Sequence, residues 1–136
     1  MKVLIADDSE LILETLREML GRFGQVEIVA SCHNGTDALK GIQALKPNLA
    51  IADLKMPGLT GLEVLSQIRK ENHSTRFIIL TFYSSVYYRQ QAILAGADYF
   101  FSKSDDFEKI AVVLEEMLMK EESDKIKKTT TNNYTT

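Results

Sequence analysis

Three short runs in this chain, Val3-Leu4-Ile5-Ala6, Leu49-Ala50-Ile51-Ala52 and Phe77-Ile78-Ile79-Leu80, are apolar at every position. A strand with one wet face alternates apolar and polar residues, whereas a strand covered on both faces does not. Unbroken apolar runs of four residues therefore predict a parallel sheet buried between two helix layers. Each run is followed by apolar residues three or four apart: Leu13, Leu16, Leu20 and Phe23, then Leu62, Leu65 and Ile68, then a segment ending Ala92-Ile93-Leu94-Ala95. Val26–Ala30 leads into Ala38, Leu39, Ile42 and Leu45 in the same way. Tyr99-Phe100-Phe101 leads into Phe107, Ile110, Ala111, Leu114, Met117 and Leu118, a one-face helix by its 3.6-residue period. Five strand–helix units predict a doubly wound α/β sandwich, with the strand order left open.

Local punctuation agrees. Thr60-Gly61-Leu62-Glu63 and Asp105-Asp106-Phe107-Glu108 both read as capping boxes at helix starts. With 136 residues the chain fits one domain, and its 45% hydrophobic and 26% charged residues are ordinary globular composition. The net charge of −3 offers no basic stripe for a nucleic acid, so none is expected to bind this chain alone. No run approaches the ~20 apolar residues of a membrane helix, and Cys32 alone forms no disulfide framework, so a reducing cytoplasm is expected. Cys32 itself reads as a small hydrophobe near a strand end, and His33 and His73 as solvated loop residues. Residues 1–120 are expected to form the domain, and 121–136 a frayed helix end followed by a disordered tail or linker.

Ligands of an open parallel sheet bind beyond the carboxyl ends of its strands. There stand Asp7 and Asp8 after the first run, Asp53 after the third, Thr81 after the fourth and Lys103 after the fifth. Three crowded carboxylates repel one another unless a cation neutralises them, and an all-oxygen set suits Mg²⁺. With a lysine and a hydroxyl added, these are the parts for phosphoryl transfer, in which an aspartate can act as nucleophile. Each residue also has a structural reading of its own: paired Asp residues favour a helix N-terminus, and Thr favours a strand. Their convergence on one rim is what points to a site.

The chain resembles the receiver domain of two-component response regulators. The resemblance is carried by Asp7-Asp8, Asp53-Leu54-Lys55-Met56-Pro57-Gly58-Leu59-Thr60-Gly61, Leu80-Thr81, Gly96-Ala97-Asp98-Tyr99 and Lys103, in the family's order, over roughly residues 2–119. It implies the flavodoxin-like strand order 2-1-3-4-5, with helices on both faces. It implies Asp53 as the phosphoacceptor, served by a sensor histidine kinase, a phosphotransfer protein or an acyl phosphate. Mg²⁺ would be held by Asp8 directly, by Asp7 through water, by Asp53 and by the backbone carbonyl of Lys55. Thr81 and Lys103 would meet the phosphoryl oxygens, and Phe100 would be the switch aromatic that buries on phosphorylation. Homodimers or targets would meet the face of the fourth helix, fifth strand and fifth helix. Such a chain catalyses only its own phosphorylation and dephosphorylation and is not an enzyme in the usual sense.

Two positions depart from the family pattern, Phe82 and Ser104, and two of its variable positions, Lys55 and Tyr83, bear on hydrolysis. Phe82 stands where a small residue is usual, and its ring is expected to narrow access to Asp53. Lys55 and Tyr83, two residues beyond Asp53 and Thr81, bring no acid or amide to orient a water, so slow hydrolysis is expected. Ser104 replaces the usual proline, so a trans bond after Lys103 is expected. Other readings are a hydrolase using the same carboxylates, a binding module of receiver fold that works without phosphorylation through Tyr83, Tyr87 and Tyr88, and the receiver fragment of a longer DNA-binding regulator.

Overall fold

The computed structural model describes residues 1–134, with side chains through Lys128. In chain order the elements are β1 (Lys2–Ala6), α1 (Glu10–Leu20), β2 (Glu27–Cys32), α2 (Gly35–Leu45), β3 (Leu49–Ala52), α3 (Gly61–Lys70), β4 (Arg76–Thr81), α4 (Val86–Ala95), β5 (Tyr99–Ser102) and α5 (Lys109–Tyr134). The five strands are parallel, in the order β2-β1-β3-β4-β5. The three unbroken apolar runs are the central strands β1, β3 and β4.

Within each central strand the side chains divide by parity between two cores. Leu4, Ala6, Ala50, Ala52, Phe77 and Ile79 pack with residues of α2, α3 and α4. Val3, Ile5, Leu49, Ile51, Ile78 and Leu80 pack with α1 and α5. Both faces of these strands are covered, so neither face carries polar residues. Cys32 ends β2 as a buried small hydrophobe, and burial pushes its thiol up from the ordinary value.

Helix starts converge on one end of the sheet. Ser9, Asn34, Thr60 and Ser85 cap α1 to α4 with their side-chain oxygens, and Thr60 and Glu63 form the expected reciprocal box. At α5 the expected box over Asp105–Glu108 does not form. The Asp106 carboxylate turns back to the backbone N–H of Ser102 (2.9 Å) and pairs with Lys109, so α5 begins four residues later than Asp105.

The C-terminal boundary also differs from expectation. Side chains of α5 become mostly exposed after Leu118, yet the backbone stays helical through Tyr134. Glu121 with Lys125 and Asp124 with Lys128 stand four apart, acid before base, which supports a helix without burial. Of the expected tail, Thr135 and Thr136 lie outside the described residues.

One surface arginine ties the far end of the sheet together. Arg69 on α3 donates to the carbonyls of Gly96 (3.1 Å), His73 (2.9 Å) and Thr75 (2.8 Å) and pairs with Asp98. Asp98 in turn accepts from the N–H of Phe77. His73 is thereby placed beside Glu71, with its side chain only 18% exposed, so it is not the solvated residue expected. We expect Arg69→Ala to cost about 2–3 kcal/mol in urea unfolding, because three carbonyls lose a charged donor together. A loss under about 0.5 kcal/mol would show that water replaces the guanidinium.

Candidate functional site

Asp7 directly follows β1 and Asp53 directly follows β3, and these strands are neighbours. The backbone N–H of Asp53 donates to the carbonyl of Ala6 (3.0 Å), which extends the ladder one step and sets the two carboxylates side by side. Gly61 makes the loop after Asp53 possible. A Cβ there would stand 2.3 Å from the Asp53 carbonyl oxygen, so any larger residue would displace the backbone that carries Asp53.

Lys103 reaches across from the end of β5. Its ammonium lies 2.6 Å from Asp7 Oδ2 and 2.8 Å from Asp53 Oδ2, with all three residues buried. The remaining Asp7 oxygen accepts from the N–H of Ser9 (2.9 Å). Asp53 Oδ1 meets the N–H of Lys55 at the long distance of 3.4 Å, so it is the less engaged oxygen of that carboxylate. Asp8 is exposed at the mouth. Oxygens from Asp7, Asp8 and Asp53 lie within 4.8 Å of one another, close enough to share one ion.

Burial dominates the protonation balance at Asp7. It raises the carboxyl above its ordinary value, against the opposing Lys103 and Ser9 hydrogen bonds. For Lys103 burial is again the largest single influence and pulls downward. The two carboxylates together outweigh it, so the ammonium is held above the ordinary lysine value.

Thr81 is fully buried, and its hydroxyl oxygen accepts from the N–H of Tyr83 (3.1 Å). Phe100 is buried, at 4% exposure, and packs in the core on the α2, α3 and α4 face. The guanidinium of Arg89 stands 5.0 Å from its ring centre. Phe82 is 61% exposed, and the Lys103 ammonium sits 5.1 Å from its ring centre, so the ring stands at the mouth.

Two features escaped the sequence reading. The Lys55 ammonium lies between two tyrosine rings, 5.4 Å from Tyr83 and 5.3 Å from Tyr88, linking the loop after β3 to α4. The signal was available, since β3 and β4 are neighbours and the residues just past their ends must also be. His33, expected to be solvated, is exposed but lies 2.8 Å from Glu10, which also pairs with Arg17. The bond after Lys103 is trans, as expected.

Residues 3–128 match the sequence profile of the response regulator receiver domain. The chain belongs to that family. The receiver is 38% identical over 96 residues to the transcriptional regulatory protein YdfI of Bacillus subtilis, covering 71% of this chain and 45% of YdfI. It is 32% identical over 98 residues to the DNA-binding transcriptional activator EvgA of Escherichia coli K12, covering 72% of this chain and 48% of EvgA. The chain thus spans about half the length of the curated relatives it matches. A LuxR-family DNA-binding response regulator from Staphylococcus aureus superposes with a TM-score of 0.79 at 32% identity, covering 85% of this receiver and 96% of that chain. The receiver domain of a NarL regulator from Mycobacterium tuberculosis gives 0.78 at 30% identity, covering 84% and 93%. Among the described residues no helix is long and apolar enough to cross a membrane. The receiver also carries the acidic cluster on which the family's metal binding rests.

Phe82 is the departure with the clearest kinetic consequence. We expect Phe82→Ala to raise the rate of phosphorylation by acetyl phosphate severalfold, since the ring stands over Lys103 at the mouth. Equal rates in stopped-flow or mass-spectrometric time courses would refute shielding by that ring.

Proposed function

We propose that this receiver accepts a phosphoryl group on Asp53 in two-component signalling, from a sensor histidine kinase, a phosphotransfer protein or an acyl phosphate. The observation that supports it most is one buried ammonium bridging Asp7 and Asp53 while Asp53 Oδ1 stays weakly engaged. Asp53 Oδ1 attacks phosphorus, and the bond from phosphorus to the donor nitrogen or oxygen breaks, its electron pair leaving with the donor. Lys103 keeps Asp53 oriented and faces the incoming phosphoryl oxygens. Thr81 gives up its contact with Tyr83 and turns its hydroxyl to the same group.

The carboxylates of Asp7, Asp8 and Asp53 form an all-oxygen set that fits Mg²⁺, and the backbone carbonyl of Lys55 would complete it. Both Asp7 oxygens already meet protein donors, which favours Asp8 and Asp53 as its direct ligands. When bound, Mg²⁺ neutralises charge on the transferring phosphoryl group. The reading places the protein in the cytoplasm, where those donors are found, and makes it no enzyme beyond its own phosphorylation and dephosphorylation. The face of α4, β5 and α5 would then meet a target or a second copy, and α4 exposes Val86, Tyr87, Ile93 and Leu94 there.

Intact-mass spectrometry after incubation with acetyl phosphate and Mg²⁺ tests this. One added phosphoryl group, lost with a chelator and released by hydroxylamine, is the expected result. Turnover of a generic phosphate ester would instead support the hydrolase reading, and no adduct on a folded chain would support a phosphorylation-independent binding module. A second reading rests on the relatives. YdfI and EvgA are transcriptional regulators about one and a half times this length, so the same switch would serve a DNA-binding module in a longer regulator.

A further inference from the structure

Lys103 does not satisfy the whole acidic rim. It takes one oxygen each of Asp7 and Asp53, and the N–H of Ser9 takes the other oxygen of Asp7. Asp53 Oδ1 keeps only its long 3.4 Å contact, and the exposed Asp8 forms no ion pair among the described residues. The lysine rooted nearest to these oxygens along the chain is Lys55, two residues past Asp53, whose backbone N–H is the partner of Asp53 Oδ1. A lysine is a compact point charge on a flexible four-carbon stem, and a stem that starts at the rim can fold back onto it. An ammonium on Asp8 or Asp53 would take the oxygens a divalent cation needs and set a like charge beside that cation.

The Lys55 side chain goes elsewhere. Its ammonium lies 5.4 Å from the centre of the Tyr83 ring and 5.3 Å from that of Tyr88, inside the ~6 Å reach of a cation–π contact. The two rings are themselves held in place. Tyr88 packs edge-on against Tyr83 at 6.3 Å and against Tyr87 at 5.5 Å. The N–H of Tyr88 donates to the cap residue Ser85 (3.3 Å), and that of Tyr83 to Thr81 (3.1 Å). Each exposed ring contact shifts an equilibrium roughly two- to fivefold, and an exposed ion pair by no more than about fivefold. Two rings together therefore outweigh a single exposed carboxylate such as Asp8.

We propose, on the reading of this rim as a Mg²⁺ site, that Tyr83 and Tyr88 are positioning residues for metal binding. They hold the Lys55 ammonium off the rim and leave Asp8 and Asp53 to the divalent cation. Lys55 then contributes its carbonyl to the site without contributing its charge.

Mg²⁺ titration by isothermal calorimetry, with no phosphodonor present, tests this. Tyr83→Leu with Tyr88→Leu is expected to weaken Mg²⁺ binding about tenfold. Tyr83→Leu alone, at a position 51% exposed, is expected to weaken it about threefold with the circular dichroism spectrum unchanged, so a folding defect of the pair does not hide the effect. Adding Lys55→Met to either variant is expected to restore binding, because the competing ammonium is gone. In the wild type the two ring currents are expected to move the ε-methylene protons of Lys55 upfield in the NMR spectrum, with and without Mg²⁺. Equal Mg²⁺ affinity in the wild type and Tyr83→Leu would overturn the proposal and leave the metal reading in place. So would a Lys55 signal at its ordinary position, or a loss of affinity that Lys55→Met fails to restore. Absence of Mg²⁺ binding by the folded wild type would overturn the metal reading itself, and this inference with it.

Discussion

Replacing Asp53 with asparagine is expected to abolish the phosphoryl adduct while leaving the fold intact. Asparagine keeps the shape, and its Oδ1 still accepts from the Lys103 ammonium, so the bridge to Asp7 survives in weakened form. Two opposing changes meet in the stability. One charged contact to Lys103 is lost, and one source of repulsion among three carboxylates within 4.8 Å is removed. We expect the unfolding free energy at neutral pH without metal to move by less than about 1 kcal/mol in either direction. Stabilisation by Mg²⁺, which follows from binding to the folded state alone, should fall with the lost ligand. Urea unfolding with and without Mg²⁺, beside intact-mass measurement, separates these effects. A residual adduct of wild-type stoichiometry would place the acceptor elsewhere.

The largest loss of stability is expected from Lys103→Met. This ammonium is the nearest counter-charge of two buried carboxylates, 2.6 and 2.8 Å away, and methionine preserves its stem while removing its charge. Breaking a buried pair from one side commonly costs about 3–5 kcal/mol, because the remaining charge has no partner. The cost depends on pH in a definite sense. In the wild type Lys103 is raised from 10.5, so its contribution is complete below that value and is lost as pH rises through the folded value. Asp7 is raised from 3.8, so folding favours its neutral form, and that contribution is lost as pH rises through its folded value. Without the ammonium Asp7 should rise further. The deficit of Lys103→Met should therefore be greatest near neutral pH and shrink as acid protonates the carboxyls. Urea unfolding from pH 4 to pH 8 reads this directly, and a deficit independent of pH would assign Lys103 a packing role only. Phosphorylation by acetyl phosphate should fall about a hundredfold in the same variant, as when one preorganised donor is removed from a reacting oxyanion.

The sheet was legible because its central strands have no wet face. β1, β3 and β4 needed only their unbroken apolar runs, and the rim residues followed from where those runs stop. Legibility fell wherever a residue answered to a distant partner. Asp105 has the spacing of a helix cap three residues before Glu108, but the neighbouring Asp106 carboxylate takes the Ser102 N–H, which only the folded loop brings near, and α5 starts at Lys109. α4 buries Ala92 and exposes Ile93 and Leu94, so its apolar residues mark no single face. The continuation of α5 beyond Lys120 lacks a buried face, and its support is the spacing of charges along one helix. The placement of Lys55 between Tyr83 and Tyr88 required knowing that β3 and β4 are neighbours.

The Thr81 hydroxyl accepts from the backbone N–H of Tyr83, just before α4. The Lys55 ammonium lies between the rings of Tyr83 and Tyr88, so two residues at the rim reach the same short segment. Whatever shifts the Thr81 hydroxyl or the Lys55 ammonium pulls on Tyr83, and through it on the start of α4.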